Sequence, residues 1–356
     1  MSKHTFEFKK NSIADWIGRD LSVALRGGVK SNSSPKAFIA ASAFVTFLAV
    51  SPISHAKIEN NGQPIFINGI YEDGGYVGVY EKFSDSNASF DINIAQIAES
   101  AFFGVNVTNG STLTMDPIKS LNIRYSDTNT LDKDVNGLQN QLGSTTTIAA
   151  QDDVNISIKA STSAEIQGIV NNTGRGVSGD LFSSSLSLSS TNGSINVNVA
   201  NDDVLAASNI HGLNNGNGGT IRLDAKENIN ISASVAVSGT YNNLTALTNS
   251  GSDSTAILTA GGYISLNSKG NGSSIAIANL MSSNLQLTSQ GKNDSGYGME
   301  ITSEASGVNS YAIENEGSIY LQALNGGIHL AAAGGTDVTR ALYSYNGSVQ
   351  LIADSD

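Results

Sequence analysis

The heptapeptide Gly219-Thr220-Ile221-Arg222-Leu223-Asp224-Ala225 is one copy of a motif, Gly-(Ser/Thr)-Ile-x-Leu-x-Ala, that recurs along this chain. The recurrences, in full or looser form, begin at Gly193, Gly219, Gly262, Gly317, Gly327 and Gly347. A short strand that returns after a glycine turn is a structural unit, and an internal repeat of this kind determines the architecture of a chain. The repeat therefore predicts a regular β-rich protein before any single residue is considered.

Apolar and polar residues alternate through most of the chain from about residue 146 onwards. Clear examples are the sets Val154, Ile156, Ile158 and Ile195, Val197, Val199. A period of two turns one set of side chains inward and the other outward, as in half-buried strands. Asn and Ser recur at similar turn positions, where stacked side chains can form ladders between coils. The pattern predicts strands separated by tight turns, with Ser, Asn and Thr on the outside.

The spacing of the motif favours one all-β fold over others. Starts as close as those at Gly317 and Gly327 match successive strands of one coil, and starts as distant as those at Gly193 and Gly219 match a whole coil of a parallel β-helix. A β-sandwich or a barrel also has strands at a short, regular spacing, but its strands need not resemble one another in sequence. We therefore predict a right-handed parallel β-helix, and a sandwich or another all-β fold is the alternative. A looser recurrence, from Ala312 to Ala341, indicates a longer unit with at least two strands.

Stacking of such coils predicts two columns of buried side chains. The first column contains Ile195, Ile221, Ile264, Ile319 and Val349, and the second contains Val197, Leu223, Leu266, Leu321 and Leu351.

Composition excludes several classes of function. The 356 residues contain no cysteine, which rules out disulfides, thiol catalysis and cysteine metal sites. Residues 57–356 carry 28 acidic residues against 12 Lys and Arg residues. This acidic excess disfavours nucleic acid as a partner, because affinity for phosphate comes largely from Lys and Arg.

The N-terminus has the organisation of an export signal. The segment Ala37–Val50 is uncharged and apolar, and it is shorter than the roughly 20 residues that span a membrane. Lys36 precedes the run, Pro52 follows it, and small residues stand three and one positions before the predicted cleavage between Ala56 and Lys57. We predict a cleaved or flexible helical leader. A buried core helix or a retained membrane anchor are the alternatives.

The leader is unusually long before its apolar run. That part holds Phe6, Phe8, Lys9, Lys10, Trp16, Ile17, Arg19 and Arg26. Residues 1–56 resemble the extended signal peptides of Gram-negative autotransporters, the type V secretion family. The repeat array is similar to an autotransporter passenger domain or a haemagglutinin-type adhesin. The resemblance implies an exported protein at the cell surface, on the outer membrane or in the medium.

Members of that family end in a membrane β-barrel, whereas this sequence stops at Asp356, just after a copy of the repeat. We therefore expect either a truncated gene product or fragment, or a protein that is released by another route.

Three regions follow from these patterns. Residues 1–56 are the predicted extended signal peptide, residues 57–145 an aromatic-rich N-terminal β cap, and residues 146–356 the β-helix repeat array. Within the cap region, Pro64-Ile65-Phe66-Ile67 predicts a strand, and a weak helical pattern runs from Ile94 to Phe102.

Candidate chemistry is sparse. His211, then Asp224 or Asp253, then Ser295 follow the order of a serine-protease triad, which occurs in some autotransporter passengers. However, Asn293 stands where that family's motif has glycine, and His211 lies in a glycine-rich segment that predicts a turn. We therefore predict that Ser295 lies in a turn and is not a catalytic serine.

Metal and carbohydrate chemistry have similarly weak candidates. Residues 216–224 partly resemble a calcium-binding β-roll repeat, but a single copy cannot supply the roughly 6–8 oxygen ligands of calcium. His211 and His329 are too far apart in sequence to predict a zinc site. The acid pairs Asp152-Asp153 and Asp202-Asp203 suit a polysaccharide-acting enzyme, but neighbours on a strand point to opposite faces, so turns are predicted there.

The leading hypothesis is a non-enzymatic passenger that serves adhesion or surface display, with no catalytic residue, cofactor or metal. Its expected partners are host-surface glycans or proteins, or further copies of itself, together with the export machinery that reads the leader. The alternatives are a secreted β-helix enzyme acting on polysaccharide and a non-functional remnant of a longer autotransporter. One candidate binding face consists of tyrosines, for which core or turn packing is the alternative: Tyr311, Tyr320, Tyr343 and Tyr345.

Overall fold

The computed structural model describes residues 62–72, 75–98, 101–127, 132–161, 164–171, 183–201, 209–235 and 243–354. The predicted leader and its cleavage position between Ala56 and Lys57 lie outside these ranges. Within them the chain forms 27 β-strands and no α-helix. The strands are β1 (Ile65–Asn68), β2 (Ile70–Glu72), β3 (Gly75–Val77), β4 (Tyr80–Asn93), β5 (Ala95–Ala98), β6 (Ala101–Thr108), β7 (Thr112–Ser126), β8 (Asp134–Asn140), β9 (Thr145–Ala150), β10 (Val154–Ala160), β11 (Ile166–Asn171), β12 (Ser185–Ser190), β13 (Ile195–Asn201), β14 (Asn209–Gly216), β15 (Thr220–Ala225), β16 (Ile229–Val235), β17 (Asn243–Ser250), β18 (Thr255–Ala260), β19 (Ile264–Gly270), β20 (Ser273–Asn279), β21 (Asn284–Ser289), β22 (Tyr297–Ala305), β23 (Asn309–Asn315), β24 (Ser318–Ala323), β25 (Gly327–Ala333), β26 (Val338–Ser344) and β27 (Ser348–Ala353).

Three faces surround one apolar core. Face 1 is the sheet β1-β6-β8-β11-β14-β17-β20-β23-β26. Face 2 contains β9, β12, β15, β18, β21, β24 and β27, and face 3 contains β10, β13, β16, β19, β22 and β25. The long strands β4 and β7 continue from face 2 into face 3. In β7, Leu113 pairs with β9 and Ile123 pairs with β10.

One coil is a run of three strands, such as β14, β15 and β16, and each strand pairs in parallel with its equivalent in the next coil. The described residues thus form a parallel β-solenoid of about seven turns, which confirms the predicted all-β, parallel β-helix. The core is filled by the inward apolar side chains of all three faces, which pack against one another in a single cluster.

The coil is longer than the spacing of the glycine motif predicts. Tyr311 of β23 pairs with Arg340 of β26, one coil later, so the recurrence from Ala312 to Ala341 is the true coil. The motif copies that begin at Gly317 and Gly327 lie on successive strands, β24 and β25, as predicted. Those that begin at Gly193 and Gly219 lie two strands apart, on β13 and β15, so the assignment of that spacing to a whole coil is wrong. The reason is that the third strand, on face 1, carries a different motif.

The two predicted core columns are in fact four. Ile221 stacks towards Ile319 and Val349 on face 2, through Ala256 and Leu285. Ile195 stacks towards Ile264 on face 3, through Ile229. The Leu positions divide in the same way, but Leu351, in the last strand, is exposed, and its predicted burial is wrong. The strands of faces 2 and 3 carry the same alternating motif. Sequence similarity alone therefore assigns the inward residues of both faces to the same columns.

The N-terminal strands β1 and β4–β8 belong to the same sheets as the repeat array, and β2 and β3 form a separate antiparallel pair. The β1 strand buries Ile65 and Ile67, as predicted, and pairs in parallel with β6. The weak helical pattern from Ile94 to Phe102 is wrong, because β5 and β6 are antiparallel strands there. No break in the parallel pairing falls at residue 145 in the described part, and the division into a cap and an array at that point stays a prediction.

Candidate binding groove on face 1

Face 1 is concave on its outer side because its strands are bent at one position. In β17, Thr245 and Thr248 both line the outer surface, while Ala246 and Leu247 between them are fully buried. At the position equivalent to Ala246 in β14, a Cβ on Gly212 would lie 2.4 Å from Cγ2 of Ile231 on face 3. The backbone therefore approaches face 3 too closely for a large side chain. Only small residues occupy this position in successive coils: Gly104, Gly137, Gly168, Gly212, Ala246, Ala276 and Ala312.

The bend creates a cleft of about 450 Å³ that crosses β14, β17, β20 and β23. Three rows of side chains line it, and the members of each row stand in adjacent strands, about 4.8 Å apart. The first row is Asn209, Asn243, Ser273 and Asn309, the second is His211, Thr245, Ile275 and Tyr311, and the third includes Thr248, Ala278 and Glu314. This cleft and its continuation along the same rows are called the face 1 groove below.

Carboxamide side chains order one another along the groove. Asn243 Nδ2 donates to Asn209 Oδ1 at 3.4 Å, and Asn209 Nδ2 donates to Glu165 Oε1 at 3.2 Å. The other oxygen of Glu165 accepts a hydrogen bond of 2.5 Å from Gln167 Nε2. Gln167 Oε1 in turn accepts from Asn214 Nδ2 at 3.1 Å. The lining is thus a connected polar surface whose side chains are held in place.

The rows continue towards the N-terminus on β8 and β6. Asn136 stands in the row of Gln167 and His211, and Asn106 stands in the row of Asn214. These two side chains are only 4% and 6% exposed, yet their Oδ1 atoms have no hydrogen-bond partner among the described residues. A buried acceptor without a donor costs about 1–3 kcal/mol. These oxygens are therefore unsatisfied acceptors within the fold, on the continuation of the groove rows.

His211 lies in the second row of the groove, in strand β14, and the prediction that it lies in a turn is wrong. Its Nδ1 is 3.1 Å from Oγ1 of Thr248, one coil further along. Burial lowers the pKa of His211 to about 4, because desolvation penalises the charged imidazolium. The ring is therefore neutral at neutral pH and serves as a hydrogen-bonding group.

The candidate triad is not assembled. Asp224 lies on face 2, where its Oδ2 is 2.5 Å from Nε of Arg222, while His211 lies on face 1. Ser295 lies in the turn that follows β21, as predicted, and its backbone N–H donates to Oδ1 of Asn293 at 3.0 Å. Asp253 lies in the turn after β17, with a φ of 66°.

A cluster of aromatic rings lies at the C-terminal end of the groove. The ring centroids of Tyr311 and Tyr343 are 5.7 Å apart in a stacked arrangement, and those of Tyr343 and Tyr345 are 5.5 Å apart. The guanidinium carbon of Arg340 is 4.7 Å from the centroid of Tyr343. Tyr345 is half-exposed, and its hydroxyl donates to a carboxylate oxygen of Glu316. Tyr311 and Tyr343 therefore lie together on face 1, and Tyr345 lies beside them in the turn between β26 and β27.

The fourth tyrosine, Tyr320, lies on face 2, and none of the four is in the buried core. Core packing is therefore wrong for all four rings. Beside the cluster, burial and the nearby carboxylate of Glu316 raise the pKa of Glu314 above its ordinary value.

The other candidate residues have structural surroundings. Asp153 precedes β10 at a corner, as predicted, and its Oδ1 accepts a hydrogen bond of 2.7 Å from the backbone N–H of Ser194. The pair Asp202-Asp203 lies outside the described residues. Residues 216–219 form the turn before β15. Across the described ranges, no three His, Asp or Glu side chains are grouped to hold a metal ion. No helix with the length and apolarity to cross a membrane occurs in those ranges either.

Comparison with protein-family models, with curated proteins and with solved structures finds no match for this chain. The geometry defines a parallel β-solenoid with a polar cleft on face 1.

Sequence patterns named Tyr311 as a candidate binding residue but did not single out the rest of the groove as a site. The pattern that reveals them is a second motif, Asn-x-x-(Gly/Ala)-(Leu/Ile)-x-Asn, which occurs at residues 209–215, 243–249 and 309–315. Its first residue lines the groove, and its last residue is fully buried at the corner between faces 1 and 2.

Proposed function

We propose that this chain is an exported, non-enzymatic binding protein that serves adhesion or surface display through the face 1 groove. The observation that carries the proposal is a cleft across four successive coils, lined largely by amide and hydroxyl side chains, whose carboxamides are hydrogen-bonded to one another from β11 to β17. A stacked array of coils presents an extended concave surface, which is the way in which repeat proteins generally bind.

The destination is part of the same proposal. The resemblance of residues 1–56 to the extended leaders of autotransporters supports export to the cell surface, the outer membrane or the medium of a Gram-negative bacterium. The proposed partners are glycans or proteins of a host surface, or further copies of the chain, and the export machinery that reads the leader. The acidic side chains of Glu165 and Glu314 beside the groove make nucleic acid an unfavourable partner.

The groove residues are suited to binding. Amides and hydroxyls both donate and accept hydrogen bonds at neutral charge, and those of the groove are ordered by their neighbours before a ligand arrives. Such preorganisation lowers the entropic cost of association.

A polysaccharide-acting enzyme is the second candidate, and one observation favours it. Glu314 lines the groove with a raised pKa beside a second carboxyl group, that of Glu316. A protonated carboxyl group and a nearby carboxylate are the pair that glycoside hydrolysis requires. Release of reducing ends from a polysaccharide by the purified chain, lost in Glu314→Gln, would support this candidate over the binding protein.

Adhesion itself tests the main proposal. Fluorescent beads coated with the purified chain should be retained on cultured epithelial cells, and Ala278→Arg, which places a long side chain in the groove, should reduce that retention at least tenfold. Thr259→Arg, an outward position on face 2, is the matched control and should leave retention unchanged. Equal retention of the wild type and both variants would show that the groove is not the binding surface.

A further inference from the structure

We infer that the ligand of the face 1 groove is an uncharged, extended polysaccharide that lies along the solenoid axis and is bound by side chains alone. This inference rests on the proposed function and deepens it by assigning a chemical class to the ligand.

The location of the groove favours a polysaccharide over a peptide. A common way of binding an extended peptide is pairing with the free edge of a sheet, where backbone N–H and C=O groups are available. The groove lies on the face of a sheet, where the backbone groups of β17 already pair with β14 on one side and β20 on the other. Only side chains are therefore available to the ligand, and side-chain amides and hydroxyls match the closely spaced hydroxyls of a sugar polymer.

The amides of the cleft indicate what the ligand must supply. Asn209 and Asn243 line the cleft side by side, and each carboxamide has N–H donors and a carbonyl acceptor. A sugar hydroxyl can donate to one amide oxygen and at the same time accept from the neighbouring amide. A chain of sugars along the rows would meet an equivalent set of groups about every 4.8 Å.

Charge selects a neutral polymer over an anionic one. Glu165 and Glu314 border the groove, and His211 is neutral at neutral pH because its pKa is lowered to about 4. Among the described residues that stand in the three rows, Arg340 is the one Lys or Arg, and it lies at the C-terminal end beside Tyr343. A polyanion would therefore meet a carboxyl group at either end of the cleft, and like charges in a groove are strongly disfavoured.

The tyrosine cluster supplies the apolar part of the site. A sugar ring has a polar edge and a face of C–H groups, and an aromatic ring binds that face while its hydroxyl stays in a polar environment. Tyr311 stands in the second row of the groove and stacks with Tyr343, which lies one coil further along on β26. We therefore place one sugar unit against Tyr311 and the following units along Thr245 and His211.

Affinity electrophoresis of the purified full chain tests the inference. The probes are soluble neutral glucan, galactomannan and xylan, with polygalacturonate as the anionic comparison. At least one neutral polymer should retard the chain, with little dependence on salt, and polygalacturonate should not. Tyr311→Ala and the isosteric Thr245→Val should each weaken that retardation about tenfold or more. Tyr320→Ala, the same change on face 2, should leave it unaltered, and circular dichroism should show that all variants are folded.

The outcomes separate this inference from the proposed function. Preferential retardation by polygalacturonate, equal loss in Tyr320→Ala, or no retardation by any of the neutral polymers would overturn the inference. If beads coated with the chain still adhere to cells in that last case and Ala278→Arg still abolishes adhesion, the adhesin proposal stands with a ligand of another class. If adhesion also fails, both are overturned.

Discussion

The side-chain amide of Asn215 donates a hydrogen bond of 2.8 Å to Oδ1 of Asn249, its equivalent one coil further along, and both side chains are fully buried. Six asparagines form this ladder at the corner between faces 1 and 2: Asn140, Asn171, Asn215, Asn249, Asn279 and Asn315. Asn215 Nδ2 also donates to the backbone carbonyl of Gly219 at 3.0 Å. The ladder satisfies buried polar groups at each corner and fixes the register between coils, as the sequence predicts in general terms for Asn and Ser at turns.

Replacing one member of the ladder should be costly. Asn249→Ala removes the acceptor of Asn215 and one donor to Asn279, so it should lower the free energy of unfolding by about 1–3 kcal/mol. The matched control is Asn196→Ala in the outward ladder of face 3, whose Nδ2 donates to Asn155 Oδ1 at 2.9 Å near solvent. That change should cost no more than about 0.5 kcal/mol. The urea concentrations at the midpoints of unfolding measure the stability of both variants. Equal midpoints would show that the buried ladder stabilises the chain no more than the outward ladder does.

Replacing Gly212, at the bend of face 1, tests the close approach of face 1 to face 3. Gly212→Val should destabilise the chain by roughly 1–3 kcal/mol or more, because the added atoms meet Cγ2 of Ile231 and the carbonyl oxygen of Ala246. Gly327→Ala is the control, since its Cβ would have its nearest neighbour at 3.6 Å. Melting temperatures, monitored by circular dichroism, compare the stability of the two variants. A stable Gly212→Val variant would mean that face 1 does not approach face 3 as described.

The buried histidine predicts a specific pH dependence. The pKa of His211 is about 4 in the folded chain against 6.5 for the free side chain, so the unfolded state binds more protons between these values. Its contribution to stability is therefore present above about pH 6.5 and falls as the pH decreases towards 4. The wild type should lose up to about 3 kcal/mol more than His211→Gln between pH 7 and pH 4. Urea midpoints across this range give the comparison, and parallel curves would show that His211 titrates normally.

The strands of faces 2 and 3 follow directly from the sequence. In β15, Ile221 and Leu223 alternate with outward polar residues, so the period of two identifies both the strand and its inward face. Strand β14 could not be predicted from the same pattern, because Gly212 and Leu213 are successive inward residues and break the alternation. Its buried Asn215 is also polar, so no simple pattern of apolar residues marks the inner side.

Apart from Tyr311, the candidate site could not be predicted, because it is formed by residues in different coils. His211 contacts Thr248, 37 residues later, and this pairing depends on the coil length. Successive members of the asparagine ladder are separated by 30 to 44 residues, since loops between the strands differ in length. Only the register of the sheet converts such irregular spacing into the rows of one groove.

Hydroxyl-radical footprinting tests the central claim, a ligand bound along face 1, most directly. It measures the solvent accessibility of individual side chains in the purified chain, with and without the neutral polysaccharide that retards it most. We predict a several-fold slower oxidation of Tyr311 and His211 in the presence of the polymer, and an unchanged rate at Tyr320 on face 2. Protection at Tyr320, or unchanged rates at both groove residues, would contradict the account.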